Sequence, residues 1–288
     1  MAQFTRSAIE RWPWLGAVAS LRGAALCLFV TLLLLTGAAW ALTVRHALGM
    51  RVAMGVTVRG TLADSSMAGM AMAGMPAGGW SLSAAVSFLV IWTVMMAAMM
   101  LPAAAPMIAI FAAAQARRHR DVAVPTWIFV AGYLLVWAVV GILVYLLVQI
   151  GSDVASRVAP AERAQWGPLA LGTTLLAAGV YQLTPLKRVC LRHCRSPFAF
   201  VAQHWQDGRL GALRMGLRHG GYCLGCCWAL FAVLVAAGVM SLAWMLLLTL
   251  VVFAEKVLPR GERSATTVGI AFLALGLLVA TGVVAMPG

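Results

Sequence analysis

Charged side chains are scarce in this 288-residue chain, and acidic ones are the scarcest. Only 10% of the residues are charged, whereas soluble domains carry about 25%. Hydrophobic residues make up 63% of the chain, and the mean hydropathy is +0.94. This composition excludes a water-soluble globular protein, and it also excludes a disordered chain, which needs low hydrophobicity. The sequence has no Gly-rich phosphate loop and no Ser-His-Asp pattern, so nothing in it indicates nucleotide binding or a hydrolase triad.

Apolar runs that approach the length of a membrane-spanning helix, about 20 residues, occur seven times. The sequence therefore predicts an all-α fold, a polytopic transmembrane helical bundle with about seven spans. The second run is too long for a simple crossing, and we expect Pro102 and Pro106 to kink it because proline removes a backbone donor. The predicted spans cover residues 24–44, 82–114, 126–150, 168–184, 222–237, 241–258 and 267–285.

The basic residues give an orientation. Sixteen Lys and Arg residues fall in the segments on one side of the predicted membrane, and five fall on the other. The positive-inside rule then places the N-terminus in the cytoplasm and the C-terminus outside. The net charge of +13 is explained in the same way, without a nucleic-acid partner. The first span, with its basic flank and its Ala39-Trp40-Ala41 sequence, leaves a cleaved signal peptide as an alternative.

Five of the six cysteines flank the most basic loop, whereas Cys27 stands alone and is expected to pack as an apolar side chain. The motif CLRHC lies just after the fourth span, and CLGCC opens the fifth span. Residues three or four apart share a helix face, so each motif presents its sulfurs together. If the two spans pack against each other, the sulfurs converge at the cytoplasmic membrane edge. The cysteines concerned are Cys190, Cys194, Cys223, Cys226 and Cys227.

Thiolates are soft donors that suit Cu(I), Zn(II) or iron–sulfur clusters, and nearby basic residues favour the thiolate form. His193 and His219 add imidazole candidates, and we expect Gly220 and Gly221 to let the backbone turn before the fifth span begins. Three alternatives stay open at this point. The cysteines act as small apolar packing residues, or as a thiol–disulfide relay, or as a structural zinc site within a membrane complex.

Methionine is abundant, with 16 residues, and it is concentrated in two places. A flexible external loop carries Met67, Met70, Met72 and Met75, whose thioethers prefer soft metals such as Cu(I). The alternative for this loop is a low-complexity linker.

The second concentration lies in the middle of the second span, in two pairs of residues that share helix faces. Its position between the external loop and the cysteines suggests a relay for a soft cation, and the alternative is ordinary packing. The residues are Met95, Met96, Met99 and Met100.

Few other polar groups lie within the spans. Glu255 is a functional candidate because a carboxylate in a membrane rarely lacks a role, although snorkelling of Lys256 to the interface is an equal alternative. Tyr181 and Gln182 at the end of the fourth span are candidates for orienting a metal ligand.

Three strings together resemble one bacterial family, usually labelled "predicted metal-binding integral membrane protein". They are MMAAMMLPAAAP from Met95, YQLTPLKRVCLRHCRSP from Tyr181 and GYCLGCCWALF from Gly221. The resemblance extends over roughly 81–258, and it implies a membrane location and a metal site at the clustered cysteines. We accordingly divide the chain into an N-terminal anchor helix with the Met-rich loop, residues 1–80, and a metal-binding transmembrane domain, residues 81–288.

Together with the resemblance, these observations predict a multi-pass protein of the bacterial inner membrane that binds and handles a soft transition metal, with Cu(I) favoured over Zn(II). The expected role is that of a transporter or a membrane metallochaperone, and binding is favoured over catalysis. A membrane thiol oxidoreductase and a zinc-stabilised subunit are the alternatives. The expected partners are membrane lipid and a metallochaperone or another membrane protein, and no nucleic acid is expected.

Overall fold

The computed structural model describes residues 24–49, 80–118, 122–157, 160–237 and 242–281. In these ranges the chain forms nine α-helices and no strand, so the predicted all-α fold is confirmed. The helices are α1 (Ala24–Gly49), α2 (Leu82–Arg118), α3 (Ala123–Ser156), α4 (Pro160–Leu183), α5 (Pro185–Arg195), α6 (Pro197–His204), α7 (Gly208–Ala237), α8 (Leu242–Val257) and α9 (Gly261–Ala280).

Four of the described helices, α2, α3, α7 and α9, are long and apolar enough to cross a membrane. The pair formed by α4 from Pro168 and α5 makes a fifth candidate, bent by 65°. Seven spans were predicted, whereas the described residues supply four, or five if the bent pair is one span. Helix α8 has 16 residues, which is shorter than the roughly 20 residues of a typical crossing. In α1 the apolar stretch Val30–Arg45 is also short.

Large apolar side chains cover the outside of the bundle. Leu34, Leu82 and Leu147 are between 68% and 82% exposed, an arrangement that lipid tolerates and water does not. The buried core contains large aromatic residues, including Trp92 and Trp137, and the indole of Trp92 donates to the Trp137 carbonyl oxygen at 2.9 Å. These features fit a bundle that packs its polar groups inward and its apolar surface towards lipid.

Helix α2 continues through both of its prolines. Pro102 has no N–H group, so it leaves the carbonyl of Ala98 without its helical donor. The indole Nε1 of Trp40 in α1 donates to this oxygen at 3.0 Å. A neighbouring helix therefore satisfies the backbone group that the proline frees, which is how a spanning helix tolerates proline.

Helix α7 begins much earlier than predicted. It starts at Gly208, so the basic segment before residue 222 is helical rather than a loop. Gly220 and Gly221 lie inside the helix and do not form a turn. At Gly220 a Cβ atom would lie 2.8 Å from Val136 Cγ2, so the glycine allows α7 to approach α3 closely. Tertiary packing has here overridden the low helix propensity of glycine.

Candidate metal centre

The chain breaks sharply between α4 and α5, and this break positions the first cysteine motif. Thr184 has an extended backbone conformation, and its hydroxyl accepts a hydrogen bond from the Lys187 amide at 3.4 Å. Pro185 occupies the first turn of α5, where its missing N–H costs nothing. These two residues end one helix and start the next, and α5 then packs across α7, which carries the second motif.

Sulfur atoms from the two motifs meet where α5 packs on α7. Cys194 Sγ lies 3.9 Å from Cys226 Sγ, and Cys226 Sγ lies 3.3 Å from Cys227 Sγ. Metal–thiolate bonds of about 2.3 Å place two sulfurs of one ion about 3.8 Å apart in tetrahedral geometry and about 4.6 Å apart in linear geometry. The Cys194–Cys226 separation of 3.9 Å is close to the tetrahedral value, and it must widen slightly for two sulfurs to bind one ion in linear geometry. The Cys226–Cys227 separation is shorter than this range.

Cys223 belongs to the same sulfur cluster, which we define as Cys194, Cys223, Cys226 and Cys227. Its side chain is fully buried and has two polar neighbours from other helices. Lys256 Nζ donates to Cys223 Sγ at 2.8 Å, and Tyr133 Oη lies 3.0 Å from the same sulfur. A buried ammonium group beside a sulfur provides the positive charge that a thiolate needs.

Cys190 has a different environment from the cluster. Its Sγ atom packs against Gly225 of α7, where a Cβ atom would lie 2.7 Å away. The carbonyl of Gly225 accepts a hydrogen bond from the hydroxyl of Tyr181. Tyr181, predicted to orient a metal ligand, thus contacts the backbone between the clustered cysteines. Gly225 allows α5 and α7 to come close enough for the sulfurs to meet.

A buried ion pair lies next to the sulfur cluster. Lys187 Nζ donates to Glu255 Oε2 at 2.7 Å, and both side chains are 1% exposed. Gln182 Nε2 donates to Glu255 Oε1 at 2.9 Å. Glu255 therefore joins α4, α5 and α8. Snorkelling of the adjacent Lys256 is excluded in this structure because Lys256 is only 7% exposed and points to Cys223.

The two histidines predicted as ligands lie near the cluster, in different surroundings. The ring of His193 stacks on Tyr222 at 4.2 Å, and its Nδ1 donates to the Val189 carbonyl at 2.9 Å. His219 is buried and stacks on Tyr133 at 5.5 Å. Its Nδ1 has no hydrogen-bond partner among the described residues. Neither imidazole has a contact with a cluster sulfur among the hydrogen bonds and ring contacts of the described residues.

The methionines divide into two groups. Met67, Met70, Met72 and Met75 lie outside the described residues. In α2, each of the four predicted relay residues is at most 1% exposed and packs in the hydrophobic core, and the relay stays a prediction. These residues are Met95, Met96, Met99 and Met100.

Few side chains of the described residues are placed to bind one metal ion together. Within the described part of the chain, no group of three or more His, Cys, Asp or Glu side chains is arranged to hold a metal ion. A structural zinc site takes four such ligands. A pair of thiolates instead provides a soft site of low coordination number, and softness favours Cu(I).

Tyr133 and Lys187 were missed in the sequence, although both contact the site region. Tyr133 is a phenol in the third predicted span, and a buried hydroxyl there needs a partner. Lys187 lies in the motif-bearing segment, but its many basic neighbours made it look like a surface residue. Their polar side chains within or next to apolar segments were the only signal in the sequence. Their contacts with Cys223 and Glu255 depend on how the helices pack.

Comparison with known proteins gives one family. Residues 89–279 match the PpoB2 family model, which is described as a copper chaperone. The match covers more than half of the chain and includes both cysteine motifs and the methionines of α2, whereas the external methionines precede it. No curated protein and no solved structure matches the chain.

Proposed function

This chain belongs to the copper chaperone family, and on that premise we propose that it holds Cu(I) on two thiolates within a membrane helical bundle. The proposed ligands are Cys194 of α5 and Cys226 of α7. The observation that carries the proposal is the 3.9 Å separation of their sulfur atoms across two helices. Copper is cargo in this account, bound for transfer to another protein.

Two features support copper over zinc. The described residues offer no arrangement of three or more ligands, and thiolates bind soft Cu(I) well at low coordination number. The remaining cluster sulfurs, Cys223 and Cys227, are buried, whereas Cys194 is partly exposed and is the proposed ligand that a partner reaches first. The methionines of α2 and of the external loop remain candidates for capture and relay, because thioethers are also soft donors.

The family description favours a metallochaperone over a transporter. The long apolar helices α2, α3, α7 and α9 support a membrane location, and the distribution of basic residues supports a cytoplasmic side for the cysteines. The bacterial inner membrane is the proposed location. The expected partner is a protein that accepts Cu(I), since a chaperone acts by transferring its metal to an acceptor.

Metal analysis of the purified protein tests the proposal. Protein purified in detergent under reducing conditions and loaded with Cu(I) should retain one copper per chain. Cys194→Ser and Cys226→Ser should each lose that copper, whereas Cys27→Ser, on α1, should retain it. One tightly held zinc with no exchange for Cu(I) would overturn the copper assignment.

The same preparation tests the redox alternative. Cys194 and Cys226 are close enough to form a disulfide after small side-chain movements, and all five described cysteines are free in the structure. A metal-free protein that cycles between dithiol and disulfide forms on addition of oxidant and reductant supports an oxidoreductase. Reversible disulfide formation that Cu(I) blocks supports the copper site.

A further inference from the structure

One ammonium group contacts the sulfur cluster. Lys256 Nζ contacts Cys223 Sγ at 2.8 Å. Cys223 in turn lies beside the proposed ligand Cys226, whose Sγ donates to the Cys223 carbonyl oxygen at 3.2 Å. Lys256 comes from α8, whereas the sulfurs come from α5 and α7, so its position is a product of the tertiary fold.

The nearby carboxylates already have other partners. Glu255 is bound by Lys187 and Gln182, and Glu262 pairs with Arg192 at 3.0 Å. The Lys187–Glu255 pair is neutral as a unit. The positive charge of Lys256 is therefore directed at the sulfur cluster, where negative charge develops when thiols become thiolates.

We infer that Lys256 makes the site selective for monovalent soft cations, which deepens and rests on the proposed two-thiolate copper site. When Cu(I) or Ag(I) binds two thiols, each thiol loses one proton and the complex carries one negative charge. The ammonium group of Lys256 balances that charge. A divalent ion on the same two thiolates forms a neutral complex and leaves Lys256 as an uncompensated buried cation, which is strongly unfavourable.

A third thiolate would restore the balance for a divalent ion. The nearest candidate is Cys227, whose Sγ lies 3.3 Å from Cys226 Sγ, shorter than the separation of about 3.8 Å for two sulfurs bound to one tetrahedral ion. Cys227 must therefore move before it can serve as a third ligand and give a divalent ion charge balance. Discrimination thus comes from two features together: a pair of neighbouring sulfurs from two helices, and the positive charge of Lys256 in contact with the cluster.

The test is a competition between Ag(I) and Zn(II) on the full-length protein in detergent. Both metals are buffered at fixed free concentrations, and the bound ratio is read by elemental analysis of the monodisperse fraction. Lys256→Met and Lys256→Gln should each lower the Ag(I)-to-Zn(II) ratio by about 10- to 100-fold, the range seen when groups supporting metal ligands are removed. Because both metals are measured in one sample, the ratio does not depend on the yield of folded protein.

Two further variants separate charge from hydrogen bonding. Lys256→Arg keeps the charge and should keep the ratio within about threefold, a change well below the loss of about tenfold or more expected for the neutral variants. Tyr133→Phe removes a neutral polar group from the same sulfur, and it should weaken both metals by a similar factor. A ratio that changes beyond this limit in either variant overturns the inference.

The outcomes also separate this inference from the function on which it rests. A wild-type protein that binds neither Ag(I) nor Cu(I) overturns both proposals. A wild-type protein that binds Cu(I) but whose ratio is unchanged by Lys256→Met and Lys256→Gln overturns the selectivity role alone. A fall of the ratio in both neutral variants, with Lys256→Arg retaining it, supports the assignment.

Discussion

The buried pair formed by Lys187 and Glu255 should be a main determinant of stability near the site. The two groups are 2.7 Å apart and 1% exposed, so removing one partner leaves the other as an unpaired buried charge. Glu255→Gln or Lys187→Met should therefore lower the free energy of unfolding by about 3–5 kcal/mol. The double variant should cost less than either single change, because it removes both charges together.

Unfolding in detergent micelles by a denaturant, followed by the fluorescence of the 11 tryptophans, measures these changes. The exposed pair Arg192–Glu262 is a matched control, with side chains 66% and 44% exposed. Glu262→Gln should cost less than about 1 kcal/mol, as exposed ion pairs do. If the buried single variants cost no more than the exposed control, or if the double variant costs the sum of the two, the reasoning about this pair is wrong.

Three further predictions concern other contacts. Trp40→Phe should lower the free energy of unfolding by about 1 kcal/mol. The loss should be smaller in a Pro102→Ala background, where the backbone N–H of residue 102 can donate to the Ala98 carbonyl. Equal losses in both backgrounds would refute this. Gly225→Ala should push Cys190 away and weaken Cu(I) binding in a competition assay with a chromophoric chelator, and unchanged affinity would contradict the close packing of α5 on α7. His219→Phe should leave one copper bound per chain by elemental analysis, and loss of that copper would make the imidazole a ligand.

Sequence patterns predicted the helical class because apolar runs of sufficient length are a local property. They also predicted which residues are chemically suited to a soft metal, since thiol softness does not depend on the fold. The meeting of Cys194 with Cys226 was an expectation conditional on the packing of two spans, and it required the break at Thr184 and Pro185. The spacing of the cysteines alone did not indicate which sulfur of the first motif would meet which sulfur of the second.

Other features depended on tertiary contacts that no local pattern encodes. Snorkelling of Lys256 to the membrane interface was one of two equal alternatives in the sequence, but the packing of α8 turns Lys256 inwards to Cys223. The early start of α7 at Gly208 was missed because this segment contains several glycines, and its arginines are typical of a cytoplasmic loop. Close approach to α3 at Gly220 compensates for the low helix propensity there.

The central claim is that one Cu(I) ion is held by two cysteine sulfurs from different helices. X-ray absorption spectroscopy at the copper edge, on full-length protein loaded with one Cu(I), measures the number and type of ligands directly. The account predicts two sulfur ligands and no nitrogen or oxygen ligand in the wild type, and loss of this spectrum in Cys194→Ser and in Cys226→Ser. A shell of nitrogen or oxygen atoms, or a two-sulfur spectrum that survives both substitutions, would contradict it.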